Sequence, residues 1–230
     1  MCGRIIVDYE EMMSVAGDTA LASWMTGVPT AAVSTWNLAP TGQVPVAFTD
    51  PRTGGPRFET AYWSLVPPWA KELKPKFPTF NARTETAATK PSFKAAVQHA
   101  RCAIPVTGFY EWTGPKNARV PHVILGPDPV LALAGLYSWW REPGAPEDTA
   151  WHLTATVLTA PSTGRMVSIH DRMPVFLAPE LTPDWLDAGT VGDQHLLNAL
   201  VETATPVAEA LRIHAVKPLR GDGPELLDPA

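Results

Sequence analysis

Proline limits this chain more than any other residue. Of 230 residues, 25 are proline and another 16 are glycine. Each proline removes a backbone donor and fixes φ, so helix interiors and central strands tolerate it badly. The composition therefore predicts many turns and short strands rather than long helices. Read in order, residues 8–16 are a short helix with Asp8 as N-cap. Residues 36–40 enter a turn closed by Thr41 and Gly42. Strands are expected at 44–49 and 57–66, joined by a Pro/Gly hairpin loop at 50–56. Residues 71–78 are a basic, proline-broken surface loop. A helix follows at 92–99, a buried strand at 101–105, and a strand edge or turn at 108–112. Strands are expected at 121–125, 130–140, 151–160, 175–177 and 211–216, and helices at 182–186 and 193–201. The tail from about residue 218 reads as polar and loosely packed. No repeat or composition break marks a linker. Many strands among few helices make a single α+β domain over 1–230 with mainly antiparallel sheet.

A chain this long buries about 70% or more of its unfolded surface and needs no staples. Its two cysteines, Cys2 and Cys102, form no disulfide framework. No apolar run approaches the ~18 residues that span a bilayer, and no secretory signal opens the chain. A cytoplasmic protein without membrane contact is expected. The net charge of −5 speaks against a broad nucleic-acid coat. A local basic cleft remains compatible with it. Most of the 9 tryptophans are core or turn anchors, and some are candidate stacking platforms.

Three polar clusters are not explained by their neighbours. Asn81-Ala82-Arg83 follows the proline-rich loop, where Asn81 is either a turn residue or a site group and Arg83 either a solvated charge or a ligand. Glu111 stands among Phe109, Tyr110 and Trp112. It either faces outward or sits in a low-dielectric pocket, where its pKa would rise toward neutrality. His170-Asp171-Arg172 places an imidazole between an acid and a guanidinium on a turn. The six histidines are scattered without metal-ligand spacing, and there is no phosphate-binding loop or dinucleotide fingerprint. No metal and no cofactor is expected.

The N-terminus, Met1-Cys2-Gly3-Arg4, adds a fourth possibility. Removal of Met1 leaves Cys2 with a free α-amine and a thiol two carbons apart. Such an aminothiol condenses with an aldehyde, first to an imine and then to a thiazolidine. At pH 7 roughly one α-amine in seven is unprotonated, against fewer than about one lysine in a thousand. Cys2, His170 and Glu111 also make a conceivable Cys–His–carboxylate nucleophile set. Alternatively, Cys2 is simply the second residue of an ordinary protein.

Five ordered motifs now carry a resemblance. They are Met1-Cys2-Gly3-Arg4, Asn37-Leu38-Ala39-Pro40, Asn81-Ala82-Arg83-x-Glu85-Thr86, Gly108-Phe109-Tyr110-Glu111-Trp112 and Ile169-His170-Asp171-Arg172-Met173-Pro174. Together the set resembles the SOS-response-associated peptidase (SRAP) family. The resemblance implies a bifurcated, barrel-like, mainly antiparallel sheet surrounded by helices. It implies a monomer that shields abasic sites in single-stranded DNA and associates with the nucleoid when bound there. Its activity would combine an autoprocessing peptidase, a hydrolase, with lyase-like imine chemistry ending in a thiazolidine crosslink through Cys2. Asn81 would orient the Cys2 terminus, Glu111 would move protons and help open the sugar, and His170 would assist beside the sugar. Arg4, Arg83 and Arg172 would hold phosphates. Trp69, Trp112, Asn37 and Pro40 would shape the strand path, and Thr159 would add a backbone contact. Thr107 stands where the family commonly has an acid, and His214-Ala215-Val216-Lys217-Pro218-Leu219 lacks its usual Val-Asn pair. A cysteine-type peptidase acting on itself or other proteins is the alternative, and a non-covalent reader of modified bases a third.

Overall fold

Asp50 closes the hairpin between Thr49 and Pro56, whose two strands both belong to the barrel. Its N–H donates to Gly55 at 2.9 Å, and its carbonyl accepts from Gly54 at 2.8 Å. Gly54 has φ 70°, which a side chain resists. The computed structural model describes residues 3–74 and 77–230. The strands are β1 (Ile5–Val7), β2 (Thr35–Leu38), β3 (Gln43–Thr49), β4 (Pro56–Trp63), β5 (Asn81–Arg83), β6 (Arg101–Val106), β7 (Gly108–Thr113), β8 (Val120–Leu125), β9 (Leu131–Trp140), β10 (His152–Pro161), β11 (Arg172–Pro174) and β12 (Arg212–Ala215). The helices are α1 (Tyr9–Ser14), α2 (Thr84–Ala87), α3 (Lys94–His99), α4 (Thr182–Leu186), α5 (Gln194–Thr203) and α6 (Thr205–Ala210).

Strands β10, β4, β3, β6 and β9 pair in sequence, and β9 pairs back with β10, so five strands close a barrel. Closure removes the open edges that would otherwise invite pairing with another chain. Beyond β4, the far half of β10 takes β5 as a parallel neighbour, while β11 pairs with it antiparallel. A second sheet runs β12-β8-β7-β1-β2, antiparallel throughout. The result is a single α+β domain with a bifurcated, barrel-like, mainly antiparallel sheet. Its main core includes Val46, Trp63, Ile104, Leu133, Val157 and Trp185, all at 0% exposure.

Buried Arg101 anchors α3 and α4 to the barrel. Its guanidinium donates to the carbonyls of Trp185, Val97, Gln98, Asp187 and Thr190, at 2.5 to 3.1 Å. Burial pushes its pKa down, and these five acceptors are what its charge has in place of water. The N-cap role of Asp8 holds, with its carboxylate accepting from the N–H of Glu10 and Glu11.

Several expectations need correction. The segment 108–112 is no edge or turn: β7 is the central strand of its sheet. The strand expected at 175–177 lies earlier, at Arg172–Pro174. The three-residue strands β1 and β5 and the six-residue helix α6 are not among the sequence expectations, since elements this short give periodicity little to register. The tail is not loose. Leu226 is buried and packs with Ile6, Tyr110, Val123 and Val216, with Leu219 and Leu227 alongside. Ala230 N–H donates to the Ala215 carbonyl at 3.1 Å, and Trp36 N–H to the Asp222 carboxylate at 2.5 Å. These leucines are irregularly spaced among charges, so their composition reads as polar. Among the described residues no helix is long and apolar enough to cross a membrane.

Candidate active site

Glu111 is placed by alternation along β7. Phe109, Glu111 and Thr113 share one face of the strand, while Tyr110 and Trp112 share the other. Phe109 belongs to the main core, and Tyr110 and Trp112 belong to the smaller cluster under the tail. Glu111 is therefore buried, at 3% exposure, with Tyr110 and Trp112 directed away from it. Gly108 lets the neighbouring strands close in, since a Cβ there would lie 2.9 Å from the Ile124 carbonyl oxygen. On one side Glu111 pairs with His122 of β8. On the other, β1 pairs Ile5 with Phe109, and Tyr110 N–H donates to the Arg4 carbonyl at 2.9 Å. The paired residues end at Ile5 and Phe109, and the Arg4 contact carries the chain one position further towards Glu111. Cys2 lies outside the described residues.

Asn81 and Arg83 are placed by β5, which pairs Asn81 with Val157 and Arg83 with Thr159. Arg83 is exposed and Asn81 half-buried. The carbonyl of Thr159 accepts from Arg172 at 2.7 Å and from the Thr84 hydroxyl at 3.3 Å. Both guanidinium ends of Arg172 also bind the Glu85 carboxylate. The Arg172 hydrogen bonds hold the Glu85 carboxyl below the usual carboxylate range.

His170 follows a short 3-10 turn, Gly164–Ser168, anchored by buried Met166. Gly164 has φ 52°, and a Cβ there would come within 2.7 Å of the Ala208 backbone. His170 N–H donates to the Met166 carbonyl at 3.0 Å. Its Nδ1 lies 3.0 Å from Arg172 N–H and 2.7 Å from the Asp171 carboxylate. One nitrogen cannot serve both at once. Neutral His170 accepts from Arg172 and carries its proton on Nε2, whereas the imidazolium donates to Asp171. Arg172 thus braces His170 through its backbone and ties β5 to β10 through its side chain.

These contacts connect the predicted groups. Asn81 and Arg83 lead through Thr159 and Arg172 to His170. Ser168 and Ile169, just before His170, share an open depression with His122, the strand partner of Glu111. Two of the expected contact residues are already engaged within the protein. Glu85 and Thr159 take the terminal donors of Arg172, whose side chain is 11% exposed. The Thr159 carbonyl accepts from Arg172 and Thr84, and the residue is 0% exposed. Arg4 donates to Asn37 Oδ1 at 2.8 Å, and Asn37 Nδ2 to the Gly221 carbonyl at 3.0 Å, so both are braced by the tail. Pro40 is half-exposed in the turn before Thr41, whose φ is 75°. Trp69 is 65% exposed at the rim of a separate apolar cavity of about 680 Å³, with Trp139 and Trp151. The Glu85 partnership is one that sequence reasoning misses, although its motif stands out. Its signal is a carboxylate two residues after Arg83 with nothing local to pair with. Cys102 is fully buried, and burial pushes its thiol pKa up, so it is no nucleophile. Among the described residues no group of three His, Cys, Asp or Glu side chains is placed to hold a metal.

Comparison with known proteins extends this picture. A family model described as SOS response associated peptidase (SRAP) matches residues 1–220. The abasic site processing protein YoqW of Bacillus subtilis (strain 168) is 33% identical over 196 residues, covering 84% of this chain and 85% of that protein. The abasic site processing protein HMCES of Mus musculus is 30% identical over 204 residues, covering 73% of this chain and 55% of that longer protein. A solved structure from Bacteroides thetaiotaomicron superposes with a TM-score of 0.78 over 100% of both chains at 19% identity, a likeness of fold. A phage-related protein from Bordetella bronchiseptica superposes with a TM-score of 0.66 at 26% identity, covering 94% of this chain and 95% of that one.

Proposed function

We propose, because this chain belongs to the SOS response associated peptidase (SRAP) family, that it binds abasic sites and captures them covalently in single-stranded DNA. The observation that carries the reading is the β1–β7 register. It runs the chain before Ile5 along β7, with the Arg4 carbonyl accepting from Tyr110 N–H, next to buried Glu111.

In this reading Met1 is removed and the Cys2 amine attacks the aldehyde carbon of the ring-opened sugar. The resulting carbinolamine loses water to give an imine. The Cys2 sulfur then adds to the imine carbon, and its proton ends on nitrogen, closing a five-membered ring. An imine left open tends toward β-elimination and strand breakage, and ring closure ends that route. Protons must move in both directions, which is work for a carboxylate and an imidazole. Glu111 takes and returns the protons of the amine and carbinolamine. The His170 imidazolium gives its Nε2 proton to the sugar oxygen as the ring opens and is left neutral, with its Nδ1 proton held by Asp171. Asn81 orients the amine. Exposed Arg83 holds a phosphate beside them, while Arg172 holds the frame.

Denaturing electrophoresis with a uracil-excised single-stranded oligonucleotide tests this. Wild type is expected to give a shifted band that survives denaturation. Cys2→Ala is expected to give none, and Cys2→Ser only a weak, labile product. Equal crosslinking by Cys2→Ala would defeat the reading.

A further inference from the structure

Around His170, two arginines make no ion pair and no side-chain hydrogen bond among the described residues. Arg83 lies on the β5 side, and Arg165 lies on the 3-10 turn that delivers His170. Arg165 lines an open depression of about 440 Å³ with His122, Ser168, Ile169, Ile213 and His214. No carboxylate lines it, in a chain whose acids outnumber its bases 23 to 18. The His122 ring is held by a backbone carbonyl, its Nδ1 3.2 Å from that of Val120. His214 pairs with Val123 and turns its ring to the opposite sheet face, where Nε2 lies 2.8 Å from the Leu227 carbonyl, so it lines the depression without presenting its ring there. The other nitrogen of His122 can donate to an anion without losing this anchor. The Ser168 hydroxyl donates to the Arg165 carbonyl at 3.2 Å and closes the turn beneath.

We infer that this depression binds a phosphodiester of the DNA strand flanking the lesion, with Arg165 as its principal ligand and His122 beside it. The inference rests on the proposed abasic-site chemistry and deepens it. A strand with a lesion at Glu111 and His170 must leave on two sides. Arg83 meets one flank, and the depression begins where Glu111 and His170 end, through the pairs Glu111–His122 and Ser168–His170. Ile169 and Ile213 supply apolar surface for the sugar that accompanies the phosphate.

The test measures initial crosslinking rates with four aldehyde substrates. They are free 2-deoxyribose and abasic oligonucleotides extended on the 5′ side only, the 3′ side only, or both. Wild type should gain rate from each flank. Arg165→Ala should lose about 3- to 10-fold of the gain from one flank and keep the gain from the other. It should also lower the salt slope of binding by about 0.7, the value of one single-strand phosphate contact. Arg165→Glu should lose more, and Arg165→Lys should keep most of the gain. All variants should react with 2-deoxyribose at the wild-type rate, which shows that fold and chemistry are intact. Wild-type flank dependence and salt slope in Arg165→Glu would overturn the inference alone. Failure of wild type to react with any of the substrates would overturn the abasic-site reading and this inference with it.

Discussion

At the scale of single residues, the account turns on what each polar group already holds. Glu111 and Arg172 are both buried, yet they differ in kind. Arg172 is engaged by Glu85 and Thr159 and acts as a brace. Glu111 shares its strand face with Phe109, beside the depression. General acid–base groups typically contribute about 10²–10⁴ in rate, so Glu111→Gln should slow crosslinking by that range while thermal unfolding stays close to wild type. A rate within about 2-fold of wild type would remove Glu111 from the chemistry, far below that range. The sequence singled out Glu111, His170 and Asn81 as candidates because their neighbours did not explain them, and their proposed roles came from the family resemblance. It could not separate Arg83 from Arg172. Both are arginines in ordered motifs, and only the fold brings Glu85 to one of them.

At the scale of elements, the short strands matter most and were hardest to read. β1 is Ile5-Ile6-Val7, fully buried, and it aligns the N-terminus with β7. Three apolar residues fit a strand, a turn or a helix equally well, so its pairing was not legible. β5 is as short, and its parallel docking on β10 arises from a crossover, which leaves no local trace. The longer strands β3, β9 and β10 were read nearly to their ends because β-branched and apolar runs bounded by turns define them. The junction of β5, β10 and β11 makes its own prediction. Arg172 lowers the Glu85 pKa in the folded state, so the pair's contribution is present above the unfolded glutamate value of about 4.3. It is lost as pH falls through the lower folded value. Glu85→Gln should therefore lower stability near pH 7 by less than about 1 kcal/mol, since Glu85 is half-exposed. The difference between the two proteins should shrink as pH falls below about 4.3. Urea midpoints at pH 7 and pH 3 check this, and an equal difference at both would contradict it.

At the scale of the whole molecule, the tail is part of the body. Leu226 and Leu227 cover Ile6, Tyr110 and Val123 on the sheet face opposite Glu111. Removing residues 221–230 should cost about 2 kcal/mol from Leu226 alone, as for one buried leucine, and free Asn37 and Trp36 from the tail contacts. The denaturant midpoint measures it, and an unchanged midpoint would contradict the packing. The charge balance also makes sense only at this scale. A net charge of −5 excludes a broad basic coat, while Arg83 and Arg165 leave a few phosphate contacts around one site. In the proposed reading, persistence on DNA would come from a covalent bond rather than from many ion pairs. The measurement closest to that claim is the intact mass of the protein after exposure to abasic single-stranded DNA, with and without borohydride. The account predicts a mass equal to Met1-less protein plus oligonucleotide minus one water, unchanged by borohydride because the ring holds no imine. No adduct, an adduct retained by Cys2→Ala, or a product that gains two hydrogens on reduction would contradict it.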